Sequence, residues 1–235
     1  MNSGFYKDLD TNFEQALEMS ERDFSHEELI ALLKNGNIPQ KQISALRLDF
    51  INSFEEAQVL VDNLTGCDGK IREAVALRIN RFLLENTETK IYFTQAETFA
   101  NATIDINANI CRLVVDSIAI LKSSKDFSEV YISKILMFIG EAFAELDNFI
   151  FRDKKYVINK QLFKLYWCLE ALKLFVTDLS VEDMLPILKR ASQEKEYTIR
   201  EKVAQILVQI DSDLVDELKK QLKNDENYYV RNTFL

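Results

Sequence analysis

Proline and glycine are scarce: 235 residues hold two prolines and five glycines. Tight hairpin turns lean on glycine and its neighbours, so a many-stranded β architecture is excluded. Histidine occurs once, at His26. A His-rich zinc site would need more histidines, and a Ser-His-Asp arrangement has this one candidate and no GxSxG elbow. His26 follows Ser25, a helix-capping residue type, and is expected to be an exposed first-turn residue. The three cysteines, Cys67, Cys111 and Cys168, are odd in number and far apart, which implies neither a disulfide framework nor a CxxC metal site. Cys111 and Cys168 sit among apolar residues and are expected to be buried, reduced thiols. No P-loop, GxGxxG or EF-hand pattern occurs. The expectation is therefore no catalytic residue, no cofactor and no metal. The N-terminus lacks a basic segment followed by an apolar one, and charge interrupts the longest apolar stretches. A cytoplasmic protein with no membrane span is the resulting expectation.

What is present is charge and helical periodicity. The net charge is −9, which works against phosphate backbones and anionic lipid surfaces. Acids crowd residues 1–30, whereas residues 147–175 carry Arg152, Lys154, Lys155, Lys160, Lys164 and Lys173. Hydrophobic residues make up 47% of the chain, enough for a sizeable core. They recur every three to four positions rather than alternating, which predicts an all-α protein.

The periodicity repeats. Aligned on Ile199, apolar or small residues fall at Val203, Ala204, Leu207 and Ile210, one face of a helix. The same register follows Ile71 (Val75, Ala76, Ile79, Phe82) and Ile110 (Val114, Val115, Ile118, Leu121). It also fits Ile158 (Leu162, Phe163, Tyr166, Leu169) and, more loosely, Gln40 (Ser44, Ala45, Leu48, Ile51), and restarts at Val230. Each anchor is preceded by another amphipathic segment, predicting first helices over 26–35, 54–64, 89–104, 128–147, 181–192 and 212–223. An acidic helix around 8–20 precedes them, and 145–157 is the least regular connection. Ser25-x-x-Glu28 and Ser180-x-x-Asp183 read as capping boxes, and Gly36 and Gly66 as helix ends.

The stretch Asp183-Met184-Leu185-Pro186-Ile187-Leu188, followed by Ile199-Arg200, resembles one HEAT repeat: a first helix with an internal proline, a short turn, then a second helix opening on an aliphatic-Arg pair. The chain as a whole resembles the HEAT/armadillo-like superfamily, including its bacterial phycobilisome-lyase-type branch. That resemblance implies a right-handed α-α superhelix of about six helical pairs. It would form one domain over 1–235, with 1–24 an N-terminal acidic helix or cap and 25–235 the repeats. It also implies that the residue after each anchor pairs with an acid of an adjoining turn. That slot holds Lys41, Arg72, Cys111, Asn159, Arg200 and Arg231, so the pattern lapses at Cys111 and Asn159.

Two surfaces stand out as partner-binding candidates. One joins Arg72, Arg78, Arg81 and Arg112, which could line a concave face and meet an acidic partner. The other lies in 149–175, where Phe149, Phe151, Tyr156, Phe163, Tyr166, Trp167 and Phe175 interleave with bases. Most of these aromatics are expected to pack in the core, leaving Lys155, Lys160, Lys164 and Trp167 as surface candidates. Glu141 and Glu145 share a helix face, as catalytic or cation-binding carboxylates would, but also as an ordinary solvated face does. The leading expectation is a non-enzymatic scaffold that binds a protein or peptide through its concave face. The family resemblance leaves two alternatives: a HEAT-like DNA glycosylase of the alkylation-repair type, disfavoured by the charge, and a phycobilin-lyase-type accessory subunit. Oligomeric state is not legible in the sequence.

Overall fold

The structure, a computed structural model, describes residues 3–148 and 155–235, with the side chains of 3–10, 12 and 155–157 excluded. Among the described residues every regular element is helical. The chain divides into two compact units, residues 1–128 and 129–235.

The first unit contains α1 (Ser3–Glu21), α2 (His26–Asn35), α3 (Ile38–Arg47), α4 (Phe54–Asp62), α5 (Gly69–Glu85), α6 (Ala96–Thr103) and α7 (Ala108–Leu121). Helix starts follow capping chemistry. Ser25 accepts from Glu28 N while Glu28 Oε2 accepts from Ser25 N, a complete capping box. Asn37 and Gln40 form a second one, and Pro39 sits in the first turn of α3, where no backbone donor is needed. Packing runs α2 on α3, α3 on α5, and α5 on α7, while α2 touches α4 and α4 touches α6. Within this unit α3, α5 and α7 therefore lie side by side, backed by α2, α4 and α6. Val75, Ala76, Ile79 and Phe82 are buried, as are Val114, Val115, Ile118 and Leu121 and even the looser set Ser44, Ala45, Leu48 and Ile51.

The second unit is built from α8 (Lys125–Asn148, its first residues still in unit one), α9 (Lys155–Leu172), α10 (Val181–Ala191), α11 (Tyr197–Leu207), α12 (Asp216–Lys223) and α13 (Tyr228–Asn232). Helix α11 packs on α9, α10, α12 and α13. Ile199, Val203, Ala204, Leu207 and Ile210 are buried, as is Val230. Pro186 lies inside α10, on its exposed side. The carbonyl it frees, that of Glu182, belongs to an equally exposed residue, where water can serve it.

Some local expectations change. The predicted helix over 89–104 is split: a 3-10 segment, Thr87–Tyr92, precedes α6. Buried Phe93 occupies the break, and Asn86 caps the segment through Glu88 N. Likewise a 3-10 turn, Asp213–Val215, precedes α12. Gly36 ends α2 in extended geometry rather than the left-handed one; there a Cβ would lie 2.4 Å from Leu32 O, so close approach selects glycine. Gly66, at φ 143, does need glycine's freedom, but in the turn beyond α4, whose C-cap is Asn63, rather than at the helix end. In α9 the buried residues among those described are Leu165, Cys168, Leu169, Ala171 and Leu172, while Leu162, Phe163 and Tyr166 are half-buried. Of the set expected after Ile158 only Leu169 is fully buried, and Asn159 is exposed.

Candidate functional site

Of the six residues that follow the anchors, Arg72, Cys111, Arg200 and Arg231 donate to backbone carbonyls. Asp68 caps α5 by accepting from Lys70 N and Ile71 N, which sets the first turn from which Arg72 projects. Arg72 Nη1 donates to Gly66 O at 2.6 Å, and its Nε and Nη2 grip Asp105 at 2.6 and 3.2 Å. Arg200 repeats this: Nη1 donates to Glu194 O and Lys195 O, while Nε and Nη2 reach Asp225 at 2.7 and 3.0 Å. In both, the arginine ties the turn before its own helix to the turn before the helix after next. Arg231 Nη1 donates to Asp225 O and Glu226 O, and the Cys111 thiol donates to Asp105 O. Lys41 Nζ makes the forward link alone, to Asn63 Oδ1. The Asp105 and Asp225 hydrogen bonds hold the two arginines more basic than usual, against the opposing effect of burial. Arg72 is thus a structural staple.

The other three arginines stand differently. Arg78 is buried on the α3 side of α5, its Nε donating to Ala45 O. Arg81 and Arg112 are exposed, on α5 and α7. Around them α3 and α5 present Leu46, Leu77 and Leu84 to solvent, Leu84 at 64%. This face mixes apolar side chains with arginine, and Asp49, Glu85 and Asp116 are exposed beside it.

In the second unit, Lys155 with Phe149, Phe151, Arg152, Lys154 and Tyr156 lies outside the described side chains. Lys160 is exposed. Lys164 is engaged: its Nζ donates to Glu141 at 2.7 Å and sits 4.7 Å from the Phe138 ring centroid. Trp167 packs edge-on to Phe163 and Tyr166, and its Nε1 is sealed from solvent without a hydrogen-bond acceptor. Glu170 receives Lys173 Nζ at 2.6 Å and lies 2.6 Å from Lys202 Nζ, the second an ion contact off hydrogen-bond alignment. Lys202 also covers the Tyr166 ring. Burial raises the Glu170 pKa, but the two lysines outweigh it and leave the carboxyl below its usual range. Lys202 ends above its usual range, burial opposing and Glu170 prevailing. Lys164, Trp167 and Lys173 are thus engaged by other side chains of this unit.

Sequence reasoning missed two groups. His26 is half-buried rather than exposed: its ring stacks on Phe50 at 4.2 Å, and Nε2 lies 2.9 Å from Glu56 Oε1. Its partners are distant in sequence, so no local signal marks them. Asp105 and Asp225 did carry a signal, Asp105-x-Asn107 and Asp225-x-Asn227, with each asparagine capping the next helix. Among the described residues no group of three or more His, Cys, Asp or Glu is arranged for a metal ion, and no helix is long and apolar enough to cross a membrane. Comparison of the chain with protein-family models, curated proteins and solved structures finds no match.

Proposed function

We propose that the chain is a HEAT-like helical-repeat scaffold, and that the α3–α5–α7 face binds a protein or peptide partner. The repeat reading is supported by the staple shared by Arg72 and Arg200 and by the side-by-side second helices of the first unit. Helical pairs of this kind bury their stripes only by stacking, leaving one face of the second helices uncovered. One observation carries the binding reading: Leu46, Leu77 and Leu84 are exposed on neighbouring helices that also expose Arg81 and Arg112. Apolar side chains interspersed with arginine are the composition of protein-binding hot spots.

The test is capture from a native lysate by the wild-type chain and by a Leu77→Glu/Leu84→Glu variant of unchanged helicity. The reading expects a stoichiometric protein that the wild type retains and the variant loses. A partner held equally by both would remove this face from consideration.

A further inference from the structure

Arg78 is a buried residue of that face whose only hydrogen bond among the described residues uses a single guanidinium nitrogen, Nε. The residue is only 8% exposed. Nε donates at 3.0 Å to Ala45 O, among the last carbonyls of α3, where a cation suits the helix C-terminus. The guanidinium carbon stands 5.6 Å from the Phe82 ring centroid. Neither contact uses the two terminal nitrogens, and among the described residues no carboxylate forms an ion pair with Arg78. Those nitrogens are not sealed off from solvent. A buried cation without an anion is costly, which sets Arg78 apart from the exposed arginines around it. Burial draws its pKa below the ordinary value and Arg81 adds to this, while Asp49 and Glu85 pull the other way without closing on it.

The same chain shows what such a guanidinium takes when paired. Arg72 and Arg200, equally buried, each hold one aspartate through two nitrogens. We propose that Arg78, with Arg81 one turn along α5, receives a single carboxylate from an Asp or Glu side chain of the protein partner. The inference rests on the docking reading of the α3–α5–α7 face and adds the chemistry of its centre. Leu46 and Leu77, next in sequence to Ala45 and Arg78, are exposed and would shield the incoming carboxylate from water, which strengthens charge-assisted bonds. A nucleic acid fits less well: its phosphate chain would run past Asp49, Glu85 and Asp116, whereas one carboxylate need not.

The test uses the full chain labelled with 15N-arginine, reading the Nε–Hε signals by NMR. The signal missing from an Arg78→Lys variant identifies Arg78. N-acetylaspartate N-methylamide and dimethyl phosphate serve as separate probes. The aspartate probe is expected to move the Arg78 signal saturably and more than dimethyl phosphate does. Arg78→Lys, which keeps the charge but loses the planar fork, is expected to weaken that probe's binding, read from the Arg81 signal, by about tenfold with an unchanged melting curve. An Arg78 signal indifferent to the aspartate probe overturns the proposal, as does a stronger response to dimethyl phosphate. If Leu77→Glu/Leu84→Glu abolishes partner capture while the aspartate probe stays silent, the docking face stands and only the carboxylate assignment falls.

Discussion

Arg200 and Asp225, twenty-five residues apart, meet through two hydrogen bonds of 2.7 and 3.0 Å, with 9% and 8% of their side chains exposed. The same arginine holds the carbonyls of Glu194 and Lys195. One side chain thus links the turns that precede α11 and α13, and Arg72 does the same for α5 and α7 between Gly66 and Asp105. Removing either partner strands the other in a nearly dry place.

Arg200→Met is therefore expected to lower stability by about 3–5 kcal/mol, through the uncompensated Asp225 charge. The double variant Arg200→Met/Asp225→Leu should recover part of that loss. Urea unfolding of the four proteins in a double-mutant cycle measures the coupling. Additive losses would remove the staple from the account.

Glu170 provides a pH test. Its folded pKa lies below its ordinary value of 4.5, burial opposing and Lys173 and Lys202 prevailing. A depressed carboxyl contributes stability that is complete above the unfolded pKa and is lost as pH falls through the folded one. The stability gap between wild type and Glu170→Gln should thus be constant from neutrality to about pH 5 and shrink below about pH 4.5. Denaturant melts across that range read the gap; one that widens on acidification would contradict the pairing.

The thiols should separate by environment. Cys67 is exposed, Cys168 is buried, and Cys111 is buried with its pKa pushed up to about 12, chiefly by desolvation. The native protein at pH 8 should release one equivalent of chromophore from a disulfide reagent quickly, from Cys67, and the other two only on unfolding. Cys67→Ser should abolish the fast phase. Rapid reaction of all three would show that the α7 and α9 packing is looser than described.

Much of the helical framework was legible because helix periodicity and capping are local. The stripes after Ile71, Ile110 and Ile199 are buried as spaced, and Ser25 and Glu28 close a complete box. Of the stripe expected in α9 only Leu169 is fully buried, because Leu162, Phe163 and Tyr166 are as apolar as Leu165, Cys168 and Leu172, and pattern alone cannot choose between adjoining faces. The candidate site was legible in composition but not in pairing. Arg72, Arg78 and Arg81 look alike in sequence. The structure gives the first a carboxylate, the second only a carbonyl and a ring, and leaves the third on the surface. Those differences come from contacts such as Arg72 to Asp105 and Arg78 to Ala45, which depend on which helices adjoin. The same holds for Lys164 and Trp167, whose neighbours come from α8 and from within α9.

Site-specific photo-crosslinking tests the central claim, that the second-helix face of the first unit docks a protein, most directly. A photoreactive phenylalanine at position 84 on α5, and separately at position 55 on α4, both exposed, would be irradiated in a native lysate. The account predicts one discrete crosslinked protein from position 84, lost with Arg78→Met, and none from position 55. A discrete adduct from position 55 alone, or none from position 84 across growth conditions, would contradict it.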